Sequence, residues 1–193
     1  MSIQIQQTSV KIPLVSKEAL DLDAFIPIFH EWIRERRIDN ELLIDVADYR
    51  HVPNGPGVML IANEAHYAID SEDGETGILF CRKRDALGDP EAAFRDALQR
   101  AANAASLIEK EESFGGTLSF DTSRIQMRVL SRLTAPNTEE TRAELEPVFR
   151  KVLESVGYAG ADLAPPSDLR QPFGLAVNAC SIAPDLAALL TAL

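Results

Sequence analysis

Between Glu41 and Arg84 apolar and polar residues alternate at the period of a β-strand, through two breaks that carry turn chemistry, Pro53-Asn54-Gly55-Pro56 and Asp73-Gly74. A helix cannot bury such a pattern, because a period of two scatters apolar side chains around a helical surface. The stretch therefore predicts a β-meander of two consecutive hairpins, with Asn54-Gly55 and Asp73-Gly74 as turn centres and 57–70 as one middle strand. Symmetry about those centres places Asp45 opposite Glu64, and Glu64 opposite Lys83. In the next row Leu43, His66 and Cys81 line up. Alternate residues face opposite sides of a sheet. These residues therefore share a polar face with Ala47, Tyr49, Val58, Leu60 and Leu79. The other face carries Ile44, Val46, Met59, Ile61, Tyr67, Ile69, Ile78 and Phe80, which is continuous enough to be a core.

The flanking segments supply more strands and the helices that cover that core. Residues 3–15 alternate through Ile3, Ile5, Val10, Ile12 and Leu14 and predict an added strand. Asp21 to Arg37 predicts a helix capped by Asp21 or Asp23, with Phe25, Ile28, Phe29, Trp32 and Ile33 as its apolar stripe and Pro27 tolerated in the first turn. Asp89-Pro90-Glu91 is a helix start, and the helix is expected to run to about Ser113, before Gly115 and Gly116. Residues 117–134 return to period two, with Ile125, Met127, Val129 and Leu133 alternating with Arg124, Gln126, Arg128, Leu130 and Arg132. Asn137 to Val156 predicts a helix opened by a capping box of Asn137 and Glu140 and kinked at Pro147. A loop at 159–172, a strand at 173–178 and a final helix from Pro184 to Leu193 complete the chain. Consecutive hairpins rule out a doubly wound parallel fold. The expectation is a single α+β domain over 1–193, mainly antiparallel, with helices packed on one face. No internal repeat is seen.

The 193 residues suffice for a substantial core, and 46% hydrophobic with 25% charged residues is ordinary globular composition. The net charge of −11, spread along the chain, repels polyanions and argues against nucleic acid or an anionic membrane as partner. Cys81 and Cys180 make neither a disulfide framework nor a zinc motif, which suits two reduced thiols. No basic start followed by an apolar run is present, nor a stretch of about 18 apolar residues. A soluble cytoplasmic protein is expected.

Like charges directly opposite in a sheet are destabilising by up to about 1 kcal/mol, so Asp45 facing Glu64 asks for an offset. Lys83, or an arginine of 124–132, would supply it. A solvated ladder of ion pairs accounts for these residues. Alternatively Asp45, Glu64 and His66 converge as a catalytic set, since two carboxylates and an imidazole can share a proton or hold a divalent metal. No metal-binding spacing accompanies them, and no cofactor can be named. Arg128 and Arg132, with Arg124 and Lys83, form a second candidate, a ligand-binding face for carboxylate or phosphate. An exposed strand edge would carry the same charges. Phosphate-loop, dinucleotide and nucleophile-elbow motifs are absent.

The phrase LLIDVADYRHVPNGPGVMLIANEAHYAID, with its continuation to Lys83, resembles a segment from a family of bacterial proteins without an assigned activity. The resemblance covers residues 42–83. It implies a bacterial cytosolic origin and transfers no function. Three classes of function follow from the residues. The first is a non-catalytic binding or interaction protein that self-associates, as a homodimer for example. The second is a small-molecule enzyme or metal-dependent hydrolase using Asp45, Glu64 and His66. The third is an anion or nucleotide binder using Arg128 and Arg132.

Overall fold

Aspartates and threonine start the helices where the sequence places them. Asp21 accepts the Asp23 N–H and opens a short 3-10 turn that runs into α1 (Phe25–Glu35). Asp89 accepts the Ala92 N–H ahead of α2 (Pro90–Glu109), Thr138 that of Thr141 ahead of α3 (Glu139–Ser155), and Asp185 that of Ala188 ahead of α4 (Leu186–Ala192). Each cap satisfies a backbone donor that the first helical turn leaves open. Asn137 is thus one residue outside the cap, and Pro147 sits inside one continuous helix.

The computed structural model describes residues 3, 5, 7–15, 20–53, 55–83, 89–166 and 170–193. Its strands are β1 (Thr8–Pro13), β2 (Leu43–Asp48), β3 (Val58–Ala62), β4 (Ala65–Asp70), β5 (Gly77–Arg82), β6 (Gln126–Val129), β7 (Asp162–Ala164) and β8 (Gly174–Ala179). They form one antiparallel sheet in the order β2-β3-β4-β5-β1-β6-β8-β7. The α+β architecture expected from the sequence is thereby present. The predicted loop at 159–172 contains β7, and the predicted strand at 117–134 contracts to β6 plus a single bridge from Leu14 to Phe120.

The meander departs from expectation in one respect that matters for the site. What reads as a single strand over 57–70 is β3 and β4, reversed at Asn63 and Glu64. Neither residue has a positive φ. The turn therefore needs no glycine, and the sequence shows no turn dipeptide there. β4 and β5 keep the register that Asp73-Gly74 dictates, with His66 opposite Cys81 and Tyr67 opposite Phe80. β2 and β3 do not: Asp45 lies opposite Ile61 and Val46 opposite Leu60, with an irregularity between Leu43 and Asp45. Asn54, half of the expected first turn centre, lies outside the described residues, as does Arg84. The predicted pairing sums to 109 and the observed to 106, and a shift of three residues, being odd, exchanges the two faces of β3. Val58 and Leu60 are fully buried in the core, whereas Met59 and Ile61 turn to the other face.

All four helices contribute to one hydrophobic core, shared with Val10, Ile12, Leu60, Tyr67, Ile78, Phe80, Met127 and Leu175 from one face of the sheet. Phe25, Phe29 and Trp32 of α1 are fully buried there, and Trp32 Nε1 donates to Glu111 Oε1 at 2.7 Å. Burial of such a side chain contributes roughly 1.5–3 kcal/mol. The alanines of α2, Ala97, Ala101 and Ala105 among them, let that helix lie close against β1 and β5. Among the described residues no helix is long and apolar enough to cross a membrane.

The topology repeats, although the sequence shows no repeat. A strand, a helix, a set of antiparallel strands and a second helix occur as β1-α1-(β2 to β5)-α2 and again as β6-α3-(β7, β8)-α4. The opening strands β1 and β6 lie side by side at the centre, and each is flanked by the last strand of its own half, β5 or β8. Lys11 and Gln126 face each other at this junction.

Candidate functional site

The sheet face that carries no helix should expose its polar side chains, since alternation leaves that side to solvent. Its centre does not. Ser9 (5% exposed), Lys11 (4%) and Asp70 (3%) are buried there. The turn between β4 and β5 accounts for this by folding back over the central strands. Lys11 Nζ donates to Asp70 Oδ2 at 2.7 Å and also to Asp73 Oδ1 within that turn. Farther along the turn Glu75 pairs with Arg124 at 2.8 Å, which anchors it beyond β6. Burial by itself raises the Asp73 pKa, but the Lys11 ammonium, together with the Glu75 N–H and the Gln126 side chain, outweighs burial and holds the carboxyl below its usual range.

Beneath the turn lies a small cavity of about 120 Å³ lined by Ser9, Lys11, Asp70, Cys81, Gln126 and Arg128. Asp73, Gln126 and Arg128 also wall a neighbouring open cleft of about 450 Å³, lined as well by Pro165, Pro166 and Gln171. Two groups here lack partners among the described residues. Asp70 Oδ1 is buried without a hydrogen-bond donor, and the half-buried Arg128 guanidinium makes no ion pair or hydrogen bond. A buried unsatisfied acceptor costs about 1–3 kcal/mol, so the arrangement is not one that folding alone favours.

The residues singled out from the sequence fare unequally. Arg128 stands at the centre of the site, opposite Ser9 on β1 and Gly174 on β8. Arg132 lies past the end of β6, exposed in the following turn, and Arg124 is engaged by Glu75 and Asp121, so the three arginines do not share a strand face. Asp45 and Glu64 are not brought together. Asp45 is exposed on the edge strand, where its carboxylate accepts the Val46 N–H at 2.8 Å. Glu64 sits in the β3–β4 turn; its backbone N–H donates to Glu41 Oε1 and its carbonyl accepts the Lys83 N–H. Lys83 gives its ammonium to the Ala62 carbonyl, not to Glu64. Among the described residues no group of three His, Cys, Asp or Glu side chains is placed to hold a metal ion.

His66 does share a row with Asp45, separated by Ile61, and with Cys81. Its Nδ1 is buried without a partner among the described residues, and burial, aided by the Lys83 charge, lowers its pKa. The unfolded chain therefore takes up a proton near the ordinary 6.5 while the folded chain does not. Stability is expected to be flat at and above neutral pH and to fall as pH drops through 6.5 toward the lower folded value. Urea midpoints from pH 7.5 to 5.5 read this directly, and His66→Gln should remove the part of the slope centred there. A slope unchanged in that variant would assign it to other groups. Burial pushes the Cys81 thiol up to about 11, so at neutral pH it is protonated.

Neither a protein-family model nor a curated protein matches this chain. The chemistry of the site is thus the guide to its use. Lys11, Asp70 and Asp73 carry no site motif in the sequence, because the alternation over 3–15 predicts only an added strand. Its position at the sheet centre, which makes a lysine at an alternate position demand buried partners, is a property of topology. The clue that was available is Lys11 itself, flanked by Val10 and Ile12 in an otherwise apolar strand.

Proposed function

We propose that this is a non-catalytic binding protein whose helix-free sheet face receives a small carboxylic acid bearing a hydroxyl or amino group. The observation that carries this is a pair of opposite groups in one cavity, Arg128, which has no partner among the described residues, and the buried, unsatisfied Asp70 Oδ1. Asp70, Glu72 and Asp73 line the same cavity, yet among the described residues none of them pairs with Arg128, which leaves its guanidinium as the anion receptor. The free carboxylate oxygen accepts from a hydroxyl or ammonium on the same ligand. Lys11, already engaged twice, orders the two aspartates. Binding is favoured over catalysis by the state of the reactive groups: the Cys81 thiol is protonated, the His66 imidazole has no partner at Nδ1 to orient it, and Lys11 is not free to act as a nucleophile. The free thiols of Cys81 and Cys180 suit a reducing cytoplasm.

Thermal-shift measurements with 2-hydroxy acids, 2-amino acids and the corresponding plain carboxylic acids test this. A ligand present at about 100 times its Kd stabilises by about 2.7 kcal/mol, so the substituted acids should raise Tm by several degrees. Arg128→Gln should abolish the response while leaving the unliganded stability within about 0.5 kcal/mol of wild type, since among the described residues the arginine bonds to none. Equal responses from substituted and plain acids, or a response that survives Arg128→Gln, overturn the proposal.

Self-association has a specific surface on the same face, where Ala47, Met59, Ile61 and Leu79 lie side by side and only half-buried. A second copy of this chain would cover them isologously. Sedimentation equilibrium on wild type and Ile61→Glu checks it: a dimer that becomes a monomer in the variant supports it, and a monomeric wild type removes it.

A further inference from the structure

The helical side of the sheet holds a second arrangement of unused donors, remote from Arg128. Tyr67 of β4 is fully buried, its ring tilted against Phe80 with centroids 5.3 Å apart, and its hydroxyl has no hydrogen-bond partner among the described residues. Tyr67 lines a groove of about 390 Å³ bounded by α2, by the segment 37–40 after α1, and by Leu190 of α4. Burial pushes the phenol up to about 12, so it is an O–H donor at neutral pH. Beside it Arg100 is fixed by Asp96, at 3.0 Å from Nε, and by the buried Glu41, at 3.3 Å from Nη1, and its guanidinium also lies close enough to the Tyr67 oxygen for the two groups to interact, which leaves the phenolic hydrogen free to donate. Asp96 is itself shared with Arg82, so its charge is spent inside the protein.

We infer that this groove binds a small organic carboxylate, its oxygens on the Tyr67 hydroxyl and the Arg100 guanidinium and its apolar body along α2. Two observations choose that class. The charged groups lining the groove are Arg37, Arg100 and Lys110 against Asp39 and Asp96, a local excess of one positive charge in a chain of net charge −11. The rest of the wall sets Ile38, Ala104, Leu107 and Leu190, which match a hydrocarbon body, beside the neutral polar side chains Asn40, Gln99, Asn103 and Ser106, and brings no further cation for a second anionic group. A neutral phenol beside a guanidinium forms a donor pair suited to a carboxylate, and the buried phenol costs desolvation while its hydrogen has no acceptor.

Isothermal titration of the full chain with hexanoate, and separately with inorganic phosphate, tests the inference. Hexanoate is expected to bind one to one and phosphate at least about tenfold more weakly, because phosphate leaves the apolar wall unfilled. Tyr67→Phe keeps the ring packing and removes only an unpartnered hydroxyl, so it should fold with an undiminished Tm yet weaken hexanoate about tenfold or more. Ser106→Trp, which fills the groove without touching either donor, should abolish binding. Arg128→Gln should leave hexanoate affinity unchanged, which keeps this groove distinguishable from the site on the opposite face. No hexanoate binding, an affinity unaltered by Tyr67→Phe, or phosphate binding as tightly as hexanoate would each overturn it.

Discussion

Lys11→Met is expected to lower the unfolding free energy by about 3–5 kcal/mol, the usual cost of removing one partner from a buried ion pair. The lysine and Asp70 side chains are 5% and 4% exposed, so the aspartate left behind cannot recover its lost partner from solvent. Asp73, at 22% exposure, can turn outward and contributes less. The double variant Lys11→Met, Asp70→Leu should regain most of the loss, since apolar replacements of a buried pair are often neutral or stabilising. Urea denaturation of the single and double variants measures both. A single-variant loss below about 1 kcal/mol would mean that Asp70 is solvated and the cavity open. The double variant also separates stability from use: a chain that folds well with an apolar pair here but no longer responds to hydroxy or amino acids keeps its charges for a ligand.

Gly77→Val is expected to cost about 3 kcal/mol, at the upper end of what overpacking does. A Cβ at this position would lie 2.5 Å from the Ile12 carbonyl oxygen and 2.8 Å from the Pro13 Cα. Both are backbone atoms of the central strand, so no side-chain rotation relieves the contact, and β5 would have to withdraw from β1. A Cβ at Gly174 would likewise lie 2.7 Å from the Met127 carbonyl oxygen in the corresponding place of the second half, which gives the topological repeat a physical signature. Gly74→Ala is the control. Its φ of 82° makes an L side chain strained, but nothing lies within 4 Å, so roughly 1 kcal/mol is expected. Chemical-denaturation midpoints of the three proteins distinguish a packing clash from a conformational preference; equal losses at 74 and 77 would refute the clash.

The positions of helices were legible because helix starts are local events. Asp21, Asp89 and Asp185 cap where a side-chain oxygen can reach a backbone N–H within three residues, whatever the rest of the fold does. The β4–β5 register was legible for a similar reason, since Gly74 is needed for a positive φ and the turn alone sets the pairing. The reversal at Asn63-Glu64 was hidden because a turn with ordinary dihedrals leaves no mark on composition. Missing it moved β2 against β3 by three residues and dissolved the facing carboxylates on which Asp45, Glu64 and His66 depended as a set.

Arg128 was within reach of the sequence as a cation on the polar side of a strand, but its lack of a partner was not, because which charges meet depends on residues far away in the chain. Lys11 finds Asp70 and Asp73 about sixty residues on. Tyr67 and Arg100 come together at one groove from a strand and a helix, and only the packing of α2 onto the sheet puts them there. Periodicity and caps thus determined, within the chain itself, an α+β protein with strands and helices at nearly the right places. Strand order, and with it the two sites, was decided by tertiary structure, because hydrophobic burial rewards any pairing that covers the apolar faces, whereas a site needs one pairing that brings particular polar atoms within hydrogen-bond distance.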